Sequence, residues 1–357
     1  MKWTVWTAAA AVLGAQPAAA APPASEEIAE AAQAMRIAAD RIEADYVDAA
    51  AAPAIAARLR AEARTLGRRP RQGDALAGEV TGLLREISRD AHFKFGYSAD
   101  AMPAGAFDPP SGDAVAAAKV RTARINNFGV LKAERLPGNI GLIDFDQFTD
   151  PADMRRPLAA AMELLRHCDA MILDMRFNGG GHARGAALAI SYFLPETPQR
   201  LLLRLEGRDR GEAVEIRTEA RLEAERFLGK PVYVLTGPDT FSAAEMFAWT
   251  IQREAKAVVV GTKTRGGGHP SARVRLTPHY GMILPTTRTS AAAGGSWEGV
   301  GVVPDISSPP ADALVEARRA ALAALLAASP GDMFADNWRK LLAELPAAPA
   351  SNQGSVQ

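Results

Sequence analysis

Hydrophobic positions fall into two textures along this chain. Between Glu26 and Tyr46, Ile28, Ala32, Met35, Ile42 and Tyr46 recur near helical spacing, and Ile55–Leu66 and Leu76–Ile87 follow between breakers. These segments predict an Ala-rich helical bundle over 24–95 that closes in the alternating, strand-like run Asp90-Ala91-His92-Phe93-Lys94-Phe95. The pattern lapses over 96–137, where Pro103, Pro109, Pro110 and scattered glycines suit a connector. Apolar blocks resume at Ile140–Phe145 and Ala170–Met175, separated by the helix-like Pro151–Leu165. Ala183–Phe193, Leu201–Leu205, Pro231–Leu235, a helix over 243–254 and Val258–Gly261 continue the alternation. That order predicts an α/β core over 138–310 with a largely buried sheet, followed by helices within 311–345. Residues 346–357 are small and polar and are expected to fray.

The first residues are a separate matter. A basic start, an apolar stretch from Trp3 to Ala15 and small residues at Ala18 and Ala20 read as a secretory signal, 1–20, cleaved after Ala20. The stretch is shorter than the ~20 residues that span a bilayer, and no later segment is long enough, so the mature chain is expected to be exported and free of an integral membrane segment. Lys plus Arg and Asp plus Glu are both 41, which gives no reason to expect a nucleic-acid partner. Cys168 is the single cysteine, so an intramolecular disulfide and a thiolate zinc site are both excluded.

Candidate chemistry concentrates in a few short runs. Thr240-Phe241-Ser242-Ala243-Ala244-Glu245 follows an apolar strand and opens a helix. Backbone amides and the helix dipole there favour negative charge, so a nucleophile and the oxyanion it creates would both be helped. Ser-x-x-Glu is equally a capping box, and an unassisted hydroxyl is a poor nucleophile. Gly179-Gly180-Gly181, framed by Asp174, Arg176 and Asn178, offers further free amides. Among the five histidines, His167 and His279 read as structural or exposed. Spacing alone leaves His92, His182 and His269 open as the base. Glu298 and Asp305 flank a glycine turn as candidate acids, and no metal-ligand motif stands out.

Taken together, GNIGLIDFDQF at 138–148, ILDMRFNGGG at 172–181, YVLTGPDTFSAAEMF at 233–247, VVVGTKTRGGGH at 258–269 and EGVGVVPDI at 298–306 resemble the tail-specific (carboxy-terminal processing) protease family. The branch they look most like contains the tricorn core and interphotoreceptor retinoid-binding protein. The resemblance implies a crotonase/Clp-like α/β core behind a small helical bundle. It implies Ser242 as nucleophile, with the amides of Ala243 and Gly180 as oxyanion donors. Where one branch has a lysine base, this chain reads Arg265-Gly266-Gly267-Gly268, and Lys263 is a poor substitute. The tricorn-like branch places a histidine after the bundle and an acid in the late glycine turn, which His92 and Glu298 match. Its serine before the histidine is Ala91 here, so the expectation is a simple Ser242–His92–Glu298 triad.

The connector is too short for the PDZ module of many relatives. The implied function is a serine peptidase of exported peptides or proteins, needing no metal or organic cofactor. A hydrophobic-ligand carrier of the same fold and an esterase are the alternatives.

Overall fold

The computed structural model describes residues 24–67, 71–106, 120–208, 213–292 and 294–346. The expected leader, Pro109 and Pro110 of the connector, and nearly all of the tail lie outside these residues.

The N-terminal periodicity resolves into α1 (Ala24–Asp45), α2 (Ala52–Thr65) and α3 (Gly73–Ser88). Arg89 ends α3 in the left-handed region at φ 57, its N–H donating to Arg85 O, and turns the chain towards Asp90. Strand β1 (Lys94–Tyr97) then pairs antiparallel with β10 (Tyr280–Pro285), which pairs in turn with β9 (Ser271–Arg275). Helices and sheet share one core, with Phe93, Phe95, Tyr280 and Met282 packed among Met35, Ile42, Leu59 and Leu84. This shared core brings the end of the helical region beside residues just after Gly268.

A six-stranded mixed sheet forms the centre of the rest, in the order β12 (Ile306–Ser307), β8 (Val258–Gly261), β7 (Val232–Thr236), β4 (Ala170–Asp174), β3 (Ile140–Phe145) and β2 (Val130–Leu136). All its pairings are parallel except that of β2 with β3. Every residue of β4 and β7 is buried, because side chains leave alternate faces into two different cores. Met171, Leu173, Val232 and Val234 pack with α4 (Pro151–Leu165), α5 (Ala183–Ser191) and α6 (Ala243–Glu254). Ala170, Ile172, Tyr233 and Leu235 pack with α7 (Ala313–Ala328) and α8 (Ala335–Glu344).

A third sheet, β11 (Thr287–Ala291), β5 (Leu201–Gly207) and β6 (Val214–Arg217), lies outside the main one. Strands β2, β6, β9, β10, β11 and β12 are not foreshadowed by periodicity. Strand β2, inside the stretch that reads as connector, is a sheet edge carrying Lys132, Glu134 and Arg135, and β9 is a half-exposed edge rich in arginine. Among the described residues no helix is long and apolar enough to cross a membrane.

Candidate active site

Strand β7 delivers the chain into a tight turn before α6. Thr240 Oγ1 donates to Met175 O at 2.7 Å and accepts from Gly237 N at 2.9 Å, which ties this turn to the one after β4. Ser242 sits at the N-cap of α6 with φ 56 and ψ −120, an unfavourable conformation for a residue with a Cβ. The Glu245 half of the capping box is made, its Oε2 accepting the Ser242 amide at 2.9 Å. The first helical amide, that of Ala243, donates to no described group.

The glycine run after β4 lies against this turn. Gly180 is at φ 106, and a Cβ added there would fall 2.7 Å from Phe241 O and 2.9 Å from Ala243 N, so no other residue fits. Buried Asn178 organises the run, its Oδ1 accepting from Gly180 N at 2.8 Å and its carbonyl from Phe241 N at 3.1 Å. The Gly180 amide is therefore occupied, whereas Gly179 and Gly181 line the cavity. Asp174 and Arg176 hold the loop from behind. Arg176 Nη2 reaches Asp174 Oδ2 at 2.6 Å and its Nη1 donates to Pro310 O. The Asp174 hydrogen bond pushes the guanidinium further up, against the opposing effect of burial.

Ser242, Ala243, His92, His182 and His269 all line one cavity of about 630 Å³ between the two outer sheets. Leu203, Leu205, Ile216, Met246 and Ile283 give it an apolar wall. His182, on the rim, has its Nε2 3.8 Å from Asp150 Oδ2 and is largely exposed. His279 packs against Tyr97 instead, and the His167 ring accepts from Arg166 on the surface.

His92 and His269 meet at a carboxylate pair. Asp90, almost fully buried, accepts through Oδ1 from the His92 amide at 2.9 Å and faces His92 Nδ1 at 3.2 Å. Its Oδ2 lies 3.1 Å from His269 Nδ1. Glu298 Oε2 accepts from Gly268 N at 2.5 Å and His269 N at 3.1 Å, and stands 3.9 Å and 3.8 Å from the two imidazole Nδ1 atoms. Glu298 belongs to the cluster, but the nearest carboxylate to His92 is Asp90, which sequence reasoning missed. The available signal was the Asp-x-His spacing, whose turn lets one carboxylate take both backbone and ring N–H.

Burial works against ionisation of Asp90, yet the two imidazole contacts outweigh it and hold its carboxyl far below the usual carboxylate range. Glu298 is pushed up by burial and by Asp90, with the imidazoles opposing. His269 is raised: burial would lower it, but the bond to Asp90 and the Glu298 charge prevail. Asp90, His269 and Glu298 offer three ligand atoms within 4.8 Å, a composition able to hold a cation. Asp90 Oδ2, His269 Nδ1 and Glu298 Oε2 already take part in hydrogen bonds within the protein, while Glu298 Oε1 is buried without a partner among the described residues.

His92 Nε2 is buried and has no partner among the described residues, and its ring stacks obliquely on Phe241 at 4.8 Å, one residue from Ser242. The glycine loop 264–268 closes the arrangement. Buried Glu245 accepts from Thr264 Oγ1 at 2.5 Å, Gly266 N at 2.6 Å and Gly267 N at 2.8 Å, while Trp297 Nε1 donates to Gly267 O at 3.0 Å. A Cβ on Gly267 would overlap the Phe241 ring at 2.1 Å.

Comparison with known proteins gives this geometry a context. Residues 139–308 match the model of peptidase family S41. The carboxy-terminal-processing protease of Bartonella bacilliformis is 27% identical over 184 residues, covering 48% of this chain and 39% of that protein. The carboxyl-terminal-processing protease of Synechocystis sp. is 27% identical over 172 residues, covering 47% and 38%. Each alignment therefore spans well under half of the relative's length. A crystal structure of a Parabacteroides merdae protein shares the fold, with a TM-score of 0.53, 19% identity, and coverage of 80% of this chain and 89% of that one. Residues 139–308 therefore form a domain of peptidase family S41, similar to the matching parts of two carboxy-terminal-processing proteases.

Proposed function

We propose that this chain is an exported serine peptidase that hydrolyses peptide bonds through an acyl-enzyme on Ser242. The observation that carries the reading is His92. Its Nδ1 faces Asp90 at 3.2 Å, which fixes the proton there, while Nε2 is left without a partner in the cavity that Ser242 lines. His92 Nε2 takes the Ser242 proton as the hydroxyl attacks the peptide carbonyl, then returns it to the leaving amine. Glu298, with Asp90, stabilises the imidazolium. The Ala243 amide receives the oxyanion, and the glycine run supplies the second donor, a contribution of about 3–4 kcal/mol per donor. For Gly180 to be that donor its N–H must leave Asn178 Oδ1.

The further reading of the architecture is a crotonase/Clp-like core over 138–310, preceded by the helical bundle at 24–95 and followed by helices within 311–345. Substrate is taken without a PDZ module, because only the segment 96–137 separates bundle and core. The names of the two relatives suggest processing near the C-termini of protein substrates.

The test is labelling of the purified protein with a serine-directed phosphonate, alongside hydrolysis of a peptide library. Wild type is expected to label and turn over, and Ser242→Ala to do neither. Equal labelling of both would refute the assignment. The apolar wall of Leu203, Leu205 and Ile216 favours one second reading, a carrier for a hydrophobic ligand. That reading predicts saturable binding of a lipid probe with no turnover.

A further inference from the structure

The two histidines on Asp90 are not equivalent, and only one is used above. His92 approaches Oδ1 and keeps its other nitrogen free, whereas His269 occupies Oδ2 at 3.1 Å. The rings lie nearly parallel with centroids 6.3 Å apart, so one carboxylate holds both. Two acids, Asp90 and Glu298, are sunk side by side in this cluster, with only 3% and 15% of their side chains exposed. Two adjacent buried carboxylates are costly unless a positive charge is shared with them. Every hydrogen bond described for the two carboxylates leads to an imidazole or a backbone amide, and the Arg85 guanidinium of α3 adds a positive charge that Asp90 feels without a hydrogen bond.

We propose that His269 is a positioning residue: as an imidazolium bound to Asp90 Oδ2 it fixes the carboxylate, shares its negative charge and thereby limits how strongly Asp90 holds the proton of His92. This rests on the reading of Ser242 and His92 as nucleophile and base. The groups facing His269 are Asp90 from the turn before β1, Glu298 from the late glycine turn, the His92 ring, and Arg288 from β11, whose charge opposes protonation. The raised affinity of His269 for a proton agrees with this role. An imidazole confined to geometry alone would leave the protonation of the base unchanged when removed. An imidazolium that shares charge would not.

The experiment is the pH profile of kcat and KM between pH 5 and 9 for full-length wild type, His269→Ala and His269→Gln. Removing the shared charge leaves more of the Asp90 field on His92, so the acid limb of kcat/KM is expected to move upward by about one pH unit in His269→Ala. Its kcat at neutral pH should fall about 10–100-fold, with KM changed less than about threefold. His269→Gln restores a donor to Asp90 without charge, and should recover much of kcat while keeping the displaced limb. Three outcomes would overturn the proposal: an unmoved acid limb, a loss as complete as that of Ser242→Ala, or a profile indistinguishable from wild type.

A second readout does not depend on turnover. In Ser242→Ala protein, the ring-nitrogen NMR titration of His92 should shift upward when His269 is removed, and an unchanged midpoint rejects the proposal. If wild type neither labels nor hydrolyses peptides, the peptidase reading fails, and the titration still decides the charge-sharing claim.

Discussion

The nucleophile side and the base side of this cleft are built in opposite ways. Ser242, Ala243 and Gly180 hang from the C-terminal ends of β4 and β7, two neighbouring strands whose residues are all buried and whose turns are stitched together by Asn178 and Thr240. The base side is assembled from segments remote in sequence. Asp90 and His92 come from the end of the helical region, His269 from the start of β9, and Glu298 from the turn before β12. The first side is rigid because the strands are. The second depends on packing between the helical core and a small outer sheet, and on one buried side chain, Glu245, that binds the Ser242 amide and the 266–267 amides together. Nucleophile-side variants should therefore be all-or-none, and base-side variants graded.

The sharpest way to break that contrast is Gly180→Ala. The residue sits at φ 106, and its new Cβ would press on Phe241 O at 2.7 Å and the Ser242 Cβ at 2.8 Å. Left-handed strain and the clash act on the same turn. We expect kcat to fall more than about 100-fold, as positional errors of this kind do. Phosphonate labelling should slow in parallel, while circular dichroism stays unchanged. Activity within about threefold of wild type would mean that the glycine run does not shape the nucleophile turn.

Glu245→Gln tests the joint between the two sides. Glu245 is fully buried and each of its oxygens accepts two donors, so an amide nitrogen in place of either oxygen would face two donors with none to accept. A loss of about 2–3 kcal/mol in stability is expected from the unsatisfied groups, measured by denaturant unfolding. The accompanying fall in kcat/KM should be smaller than for Gly180→Ala, on the order of 10-fold, since the strands still carry Ser242. If stability is unchanged, the four hydrogen bonds do not couple the halves.

The same asymmetry governs how much was readable from the chain. The β4 and β7 blocks announce themselves as continuous apolar runs because parallel strands covered on both faces have no polar face to alternate with. The Ser242 turn and Gly179–Gly181 follow those blocks directly, so local order places them. His92 and Glu298 enter through resemblance of short runs, not through spacing. Asp90 and His269 were not chosen as partners, since nothing in one dimension says that β9 and β1 flank the same strand, β10. The edge strands β2 and β9 escaped for a related reason: half-solvated edges carry charges that blur a period of two.

The weakest expected effect concerns His182, which lines the same cavity as Ser242 and belongs to the nucleophile side by position. Its ring is 44% exposed and its nearest acid is Asp150 at 3.8 Å, itself 57% exposed, so the ion pair is worth little in water. It shares no carboxylate with His92 or His269. His182→Ala should therefore leave kcat within about twofold of wild type, with any change confined to KM as cavity lining is lost. The measurement is the same peptide assay run beside His92→Ala, expected to lose about 10²–10⁴-fold as general-base variants do. If His182→Ala were the more damaging of the two, the base would lie on the nucleophile side after all. The contrast between a strand-borne nucleophile and a packing-borne base would then be withdrawn.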